Sequence, residues 1–423
     1  MKKLVVIMLA MLLILSMIGC HGSGSEPKET VTDQPLEHKT EMDETSEAET
    51  KRDETSEIET EWDETSEVET EWDETLEVET ERDETAEQES EAKEDSEGLD
   101  FTSNCDGTCS VSGIGYCTDT DIVIPNKSPK GDIVTSIDEG AFFRCQHLKS
   151  IRIPDSVTKI GASAFQECSS LIQIENGVSY VDKWVIDCEN NVTNVTLREN
   201  TVGIGDYAFH GCFSLLNIVI PDGVTSIGDS AFMYCRTLTN IEIPNSVECI
   251  GNSAFAACSS LIQIENGVSY VDKWVVDCKK NETNVALRLN TVGIGDYAFS
   301  GCQELTHIEI PDSVKHIGNV AFSTCYGLQN VVIPNGVVSI GYGAFFECRN
   351  LTDIKIPISV TSIKGNTFSF CINLTSITFS GTREQWSSMK KAKIWYQNDI
   401  WYETGAYTIH CTDGDIPKAE FKI

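Results

Sequence analysis

The stretch IEIPDSVKHIGNVAFSTCYGLQN, residues 308–330, decides the fold, because it is one copy of a unit that recurs along the chain. Its skeleton is Ile-x-Ile-Pro-x-x-Val-x-x-Ile-Gly-x-x-Ala-Phe-x-x-Cys-x-x-Leu-x-x, about 23 residues long. A fixed period of this length is typical of a solenoid, in which each repeat forms one turn. Regular copies begin at Ile151, Ile218, Ile241, Ile308, Val331 and Ile354.

Each position of the unit has a physical role. Ile308 and Ile310 alternate with Glu309, which predicts a half-buried strand. Pro311 lacks an amide hydrogen and is expected to end that strand, and Gly318 suits an uncrowded corner. The other apolar positions, the cysteine included, are expected to point inward. Stacked turns then share one core that a single turn could not form.

The same phase can be followed from Ile122 to Ile377 and gives about 12 strand starts. We therefore predict an α/β solenoid whose strands form one parallel sheet. Two shorter, less regular turns occupy residues 174–194 and 264–284. The predicted segments are a signal peptide at 1–19, an acidic stalk at 20–100, an N-terminal cap at 101–121, the solenoid at 122–380 and a C-terminal cap at 381–423.

The sequence also repeats with a second, longer period of 90 residues. The blocks Ile151–Asn240 and Ile241–Asn330 match closely, down to ENGVSYVDKWV in both, which indicates an internal duplication.

The net charge of −36 is concentrated near the N-terminus. Residues 26–100 hold 33 acidic and 6 basic residues, and from Glu41 they run in ten-residue steps such as EWDETSEVET. So much like charge with so little apolar surface predicts disorder. A stalk is the favoured interpretation, and an acidic cation-attracting or partner-binding tail is the alternative. Nucleic-acid binding is not predicted, because it requires a basic surface.

The first twenty residues have the pattern of a targeting segment. Lys2 and Lys3 precede the apolar run Leu4–Ile18, which is short for a membrane span. The closing Met-Ile-Gly-Cys resembles a bacterial lipobox, with Met17 in place of the usual leucine. The resemblance implies cleavage before Cys20 and lipid attachment to it. An ordinary signal peptide or an uncleaved anchor is the alternative.

The chain contains 17 cysteines, and nine of them share one phase of the repeat. Residues stacked at one phase have equivalent neighbours on both sides, so no disulfide pairing is specified, and we predict free core thiols. Cys105, Cys109 and Cys117 lack the fourth ligand of a zinc site, and a disulfide in the N-terminal cap is expected instead. The nine are Cys145, Cys168, Cys212, Cys235, Cys258, Cys302, Cys325, Cys348 and Cys371.

The repeats resemble the leucine-rich repeats of the BspA-like bacterial surface proteins. The Ile-x-Ile-Pro, Ile-Gly-x-x-Ala-Phe and Phe-x-x-Cys-x-x-Leu blocks carry the resemblance over about Ile122–Gly381. It implies a cell-surface protein, with adhesion or host-matrix binding known for some members. The family has no shared catalytic site, so the resemblance implies none here.

The C-terminal segment departs from the period and is rich in aromatic residues. A cap that covers the open end of the solenoid is the favoured interpretation, and an aromatic ligand site is the alternative. A strand is expected at Ala406–Cys411. The aromatic residues that precede this strand are Trp386, Trp395, Tyr396, Trp401 and Tyr402.

No catalytic or cofactor site is predicted. None of the seven histidines has a metal-binding partner four residues away or a nucleophile motif beside it. The glycines of Gly203-Ile-Gly205 belong to the repeat skeleton and recur 90 residues later, so they do not indicate a phosphate loop. We therefore predict no enzyme activity, no cofactor and no metal.

Two surfaces are candidates for ligand binding. Outward strand positions are expected to form a polar face about 50 Å long, for which a merely solvated face is the alternative. Its candidate residues are Asn217, Asn240, Glu242, His307, Glu309, Asn330, Asp353 and Lys355.

The second surface is the repeated VSYVDKW segment, predicted to form a β-hairpin that turns at Asp182-Lys183. Such a hairpin would project two aromatic side chains in each copy. The alternative is that these rings pack inward and replace the missing Phe and Leu of the irregular turns. The rings are those of Tyr180, Trp184, Tyr270 and Trp274.

These observations predict a lipid-anchored, surface-exposed, extracytoplasmic protein that binds another protein or a polymeric ligand. The anchor would attach it to the membrane through Cys20. One alternative is a structural envelope protein that self-associates. Another is a carbohydrate-binding module that uses the hairpin aromatic residues.

The anchor can be tested by partitioning into detergent. We expect the wild-type protein to enter the detergent phase, and Cys20→Ala to abolish both lipid attachment and processing at that position. A wild-type protein that stays in the aqueous phase would contradict the lipid anchor.

Overall fold

The computed structural model describes residues 94–104, 106–391 and 407–417. The chain separates into two units, Met1–Ala86 and Glu87–Ile423, and every described residue belongs to the second. This unit is a β-solenoid of about 12 turns of ~23 residues. The predicted solenoid is therefore confirmed.

Most turns contribute a strand from the Ile-x-Ile segment, and these strands form a first column along the array. The alternation of the segment buries the isoleucines and exposes the residues between them, as the burial pattern of each strand shows. The first column consists of β3 (Asp121–Val123), β5 (Ser150–Arg152), β10 (Asn194–Thr196), β12 (Asn217–Val219), β14 (Asn240–Ile241), β19 (Asn284–Ala286), β21 (His307–Glu309), β23 (Asn330–Val332), β25 (Asp353–Ile356), β27 (Ser376–Phe379) and β29 (Thr408–Cys411).

The x-Ile-Gly segment forms a second column of short strands, which the sequence analysis did not predict. Two residues are too few to show a periodicity, so only the stacking of neighbouring turns reveals these strands. The second column consists of β4 (Ile133–Ile137), β6 (Lys159–Ile160), β11 (Gly203–Ile204), β13 (Ser226–Ile227), β15 (Cys249–Ile250), β20 (Gly293–Ile294), β22 (His316–Ile317), β24 (Ser339–Ile340), β26 (Ser362–Ile363) and β28 (Lys390–Lys391).

Each irregular turn forms a three-stranded antiparallel meander. Its last two strands are the predicted hairpin, with Asp182-Lys183 and Asp272-Lys273 as the two-residue turns. The last strand of each meander then joins the second column in parallel. The meander strands are β7 (Gln173–Glu175), β8 (Val178–Val181), β9 (Trp184–Cys188), β16 (Gln263–Glu265), β17 (Val268–Val271) and β18 (Trp274–Cys278).

The meanders interrupt the first column, so the prediction of one continuous parallel sheet was wrong. Strand β5 pairs with β3 and β10 pairs with β12, but β7 between them pairs only with β8. The hairpin turn instead closes the end of the interrupted ladder: the carboxylate of Asp182 accepts a hydrogen bond of 2.9 Å from the amide of Ile153. Asp272 and Ile243 repeat this contact at 3.1 Å.

A stack of phenylalanine rings forms the centre of the core. Rings of successive regular turns lie parallel within 14°, with centroids 4.9–5.9 Å apart. The stack is broken where a meander replaces the phenylalanine turn, which divides the buried residues into three clusters. The stacked pairs are Phe142/Phe165, Phe209/Phe232, Phe232/Phe255, Phe299/Phe322, Phe322/Phe345 and Phe345/Phe368.

The nine cysteines of the repeat phase are buried free thiols, as predicted. Six of them donate a hydrogen bond of 2.9–3.1 Å to the carbonyl of a phenylalanine in the preceding turn, as Cys258 does to Phe232. Burial raises the pKa of the Cys168 thiol to about 11, which keeps it protonated and unreactive at neutral pH. The cysteine is therefore used as a small donor that fits between two turns.

The N-terminal end of the array is covered by an antiparallel pair, β1 (Asp100–Ser103) and β2 (Thr108–Gly113), of which β2 continues into the second column. Cys109 and Cys117 are buried free thiols, so a disulfide between these two is absent. Cys105 lies outside the described residues.

At the C-terminal end, α1 (Arg383–Ser388) begins with a capping box in which Thr382 and Gln385 bond reciprocally. This six-residue helix is the single helix of the described part of the solenoid, so the fold is β rather than α/β. Trp386 is buried against Phe379, and β30 (Gly414–Pro417) pairs with β29 at the edge of the first column. Trp395, Tyr396, Trp401 and Tyr402 lie outside the described residues.

Truncation of a stacked phenylalanine and truncation of a repeat-phase cysteine should lower the free energy of unfolding by different amounts. Phe255→Ala removes a large ring from a filled stack, and we expect a loss of about 3–5 kcal/mol in the free energy of unfolding. Cys258→Ala removes one small group and one weak hydrogen bond, and we expect about 1 kcal/mol. Chemical denaturation of both variants checks this ranking, which equal losses would contradict.

Candidate ligand-binding surface

All eight candidate residues of the strand face are exposed. They flank the buried isoleucines and valines of the first column, so the alternation of each strand is what places them outside. Neighbouring outward side chains interact: Asn217 donates to the side chain of Asn194 over 2.9 Å. His307 Nε2 lies 3.6 Å from a carboxylate oxygen of Glu309.

The structure brings these residues together in three groups instead of one continuous face. Asn217 and Asn240 are register partners in the ladder β10-β12-β14, and Glu242 is the first residue after β14. His307 and Glu309 belong to the ladder β19-β21. The third group, in the ladder β23-β25-β27-β29, contains Asn330, Asp353 and Lys355. The second meander, β16–β18, separates the first group from the others, which corrects the expected continuous face.

A groove of about 560 Å³ lies where the second and third groups meet. Its apolar lining includes Leu289, Val332 and Ile310, and Leu289 is 87% exposed. A single exposed leucine is ordinary, but Val332 in the same groove is also 61% exposed, and contiguous exposed apolar surface marks binding sites. We call this feature the strand groove. Its remaining lining residues are Pro311, Asp312, Ser313, Ile333, Pro334, Asn335, Lys355 and Pro357.

Sequence reasoning missed Leu289, because it follows the strand at a position that the repeat skeleton leaves variable. A comparison of the two 90-residue blocks contains the missing signal. The residue equivalent to Leu289 in the first block is Glu199, and the equivalent of Glu309 is Val219. The fold accepts a charge at either position, so neither the leucine nor the valine is required for packing.

The hairpin aromatic residues do not project, and that prediction was wrong. Tyr180, Trp184, Tyr270 and Trp274 are each at most 2% exposed. The alternative, that they pack inward in place of the missing phenylalanine and leucine, is what the structure contains.

Trp184 lies flat over the backbone of the next turn. A Cβ atom at Gly203 would come within 2.3 Å of the indole ring, so only glycine fits beneath it. Trp184 and Val181 belong to the core cluster before the meander, whereas Tyr180 belongs to the cluster after it. The hairpin therefore joins two sections of the core.

Arginines cover the outer side of the hairpin. The guanidinium of Arg198 lies 4.1 Å from the ring centroid of Tyr180 and donates to Glu175 over 2.8 Å. Arg288 makes the same pair of contacts in the second block, with Tyr270 and Glu265. The arginine therefore covers the tyrosine of the hairpin in the same way in both blocks.

The second column carries a charged cluster that the duplication has altered. Lys159 pairs with both Asp206 and Asp229 in the first block. Cys249 and Asn319 are the equivalents of Lys159 and Asp229 in the second block. Asp296 therefore has no such ion pair and accepts hydrogen bonds from Asn319. Burial raises the pKa of Asp206 and of Asp296 to about 6.

Within residues 94–104, 106–391 and 407–417, no group of three or more histidine, cysteine or carboxylate side chains could hold a metal ion. The same residues contain no helix that is long and apolar enough to cross a membrane. Cys20 and the acidic repeats lie outside this part of the chain.

The fold and the exposed strand face define the class of protein as a leucine-rich-repeat solenoid. The model of the BspA-type leucine-rich repeat region matches six copies over residues 115–236, 186–285 and 277–390. The chain therefore belongs to the BspA-type leucine-rich repeat family, a family of bacterial surface proteins.

Solved structures of bacterial leucine-rich-repeat proteins are similar to the chain. A leucine-rich cell surface protein of Faecalibacterium prausnitzii A2-165 is 25% identical, over 69% of this chain and 96% of that chain, with a TM-score of 0.30. A repeat protein of Bacteroides ovatus ATCC 8483 is 23% identical (75% and 99% covered, TM-score 0.24), and the pneumococcal vaccine antigen PcpA is 16% identical (75% and 98%, TM-score 0.27). No curated protein matches the chain.

Proposed function

We propose that the protein is displayed on the bacterial surface through a lipid on Cys20 and binds an extracellular protein or another polymer. The ligand lies on the exposed face of the first strand column, with the strand groove as its central contact. The exposure of Leu289 and Val332 in that groove is the observation that carries the proposal.

The composition of the groove favours a macromolecular ligand. Exposed apolar side chains lie beside charged ones, with Lys355 and Asp312 among the lining residues and Glu309 on the adjoining strand. Protein-binding surfaces combine apolar and polar side chains in this way. The groove is lined by residues of several successive turns, among them Ile310, Ile333 and Lys355, so an extended ligand that fills it would contact more than one turn.

The ladders on either side give such a ligand further polar contacts. Asn330 and Asp353 face each other in register, and Asn217 and Asn240 do so in the first group. These side chains vary from turn to turn while the buried positions repeat, so the outward face is where one array can differ from another in specificity. Adhesion to host or matrix macromolecules is the role that this arrangement suits.

Ligand binding by the strand face can be tested with charge-reversing substitutions that introduce residues already found at outward strand positions. We expect Glu242→Arg and Glu309→Lys each to weaken ligand binding by up to about 1 kcal/mol, about fivefold in Kd, with an almost unchanged melting temperature. Arginine occupies the position equivalent to Glu242 in the first block, as Arg152. Binding is measured by surface plasmon resonance with the ligand that wild-type protein retains from host-tissue and cell-wall extracts.

Glu189→Lys is the matched control, because Glu189 is exposed outside the strand face and its equivalent in the second block is Lys279. Its binding should equal that of the wild type. If residues 21–98 alone retained the ligand, or if the control lost as much affinity as the two reversals, the strand face would not be the binding surface.

A further inference from the structure

A group of exposed and half-buried aromatic side chains lies in the turns that follow the second column. His210 stands between Tyr207 and Tyr234, with ring centroids 5.4 and 5.6 Å away, and the guanidinium of Arg236 is 5.6 Å from the Tyr234 centroid. Phe213 belongs to the same turn as His210, and its side chain is 55% exposed. We call these five residues the aromatic patch.

The ring of Phe213 lies against the backbone of its own turn. A Cβ at Gly211 would lie 3.6 Å from the tip of the Phe213 ring, so that ring rests on the chain instead of entering the core. Tyr207 is 48% exposed. The buried ring of each of these turns is Phe209 or Phe232, which already fills the core position. The patch therefore adds nothing to the phenylalanine stack.

The second block shows that the fold does not need three of the five patch residues, although it keeps the tyrosine equivalent to Tyr207 as Tyr297. Ser300, Gln303 and Thr324 occupy the positions of His210, Phe213 and Tyr234. The backbone is the same in both blocks, with φ of 65° at Tyr234 and 56° at Thr324. A left-handed conformation is less favourable for a bulky residue than for a small polar one, so packing does not explain the aromatic side chains.

The chemistry of the patch selects an uncharged ligand. Arg236 is its single permanent charge, in a chain with a net charge of −36. The following turn presents Ala256 and Ala257, and the Ala256 carbonyl accepts a hydrogen bond of 2.9 Å from the amide of Tyr234. The rings themselves are inclined to one another, by 57° between Tyr207 and His210 and by 81° between His210 and Tyr234, so the patch offers ring faces and ring edges in different directions.

We propose that the aromatic patch is a binding site for a neutral polysaccharide. The C–H faces of pyranose rings stack on aromatic rings, and sugar hydroxyls bond to the hydroxyls of Tyr207 and Tyr234, the imidazole of His210 and the guanidinium of Arg236. Stacking of a sugar on an aromatic ring requires no charge on the ligand, which suits the aromatic patch with its single cation. The site is built from other turns than the strand groove and does not depend on the function proposed for the groove.

The variant His210→Ser/Phe213→Gln/Tyr234→Thr tests the site, because each new residue is the one the second block carries at that position. The measurement is native affinity electrophoresis of the wild-type chain in gels that contain galactomannan, xyloglucan, mixed-linkage β-glucan, α-mannan or dextran. At least one polysaccharide should retard the wild type, and the triple variant should bind it at least tenfold more weakly at an unchanged melting temperature.

The matched control is Ser300→Ala/Gln303→Ala/Thr324→Ala, the same three positions in the second block, and its retardation should equal that of the wild type. A wild type that none of the five polysaccharides retards would overturn the proposal, as would equal retardation of the wild type and the patch variant. If the patch variant instead lost only the ligand of the strand face, the patch would belong to the protein-binding surface and the polysaccharide assignment would be wrong.

Discussion

Each turn of this protein can bury its apolar side only against the turns before and after it, and the rest of the structure depends on that stacking. The phenylalanine rings lie parallel at 4.9–5.9 Å, and the thiol of one turn bonds to a carbonyl of the preceding turn. Both contacts require neighbouring turns to stay in register. A turn that is shorter or longer than the regular ~23 residues needs other contacts to keep the turns on either side of it in register.

The two meanders show how the chain does so. A turn of 21 residues lacks the phenylalanine, and the hairpin fills its place with Tyr180 on one side and Trp184 on the other. The glycine beneath the indole and the Asp182 carboxylate on the Ile153 amide complete the junction. These requirements account for the identity of the buried positions of CSSLIQIENGVSYVDKWV in both blocks, since those side chains contact the core or close a ladder.

The regular turns could be predicted from the sequence, because alternating isoleucines, a strand-ending proline and one cysteine per turn each have a local cause. The second column could not, since two-residue strands are defined by their neighbours alone. The inward position of Trp184 was also beyond a sequence pattern: an amphipathic hairpin can turn either face outward, and the deciding contact is with Gly203, 19 residues later. Leu289 was missed because a single exposed leucine has no periodicity.

Function is therefore assigned to side chains that the stacking leaves free to vary, whereas the repeated hairpins belong to the core. Equilibrium chemical denaturation of Trp184→Ala and Trp274→Ala, together with ligand binding at low denaturant, tests this division most directly. The account predicts a loss of about 3–5 kcal/mol in the free energy of unfolding for each variant, because each leaves a cavity beside a glycine, with binding retained by the folded fraction. Two variants as stable as the wild type that no longer bind the ligand would contradict it.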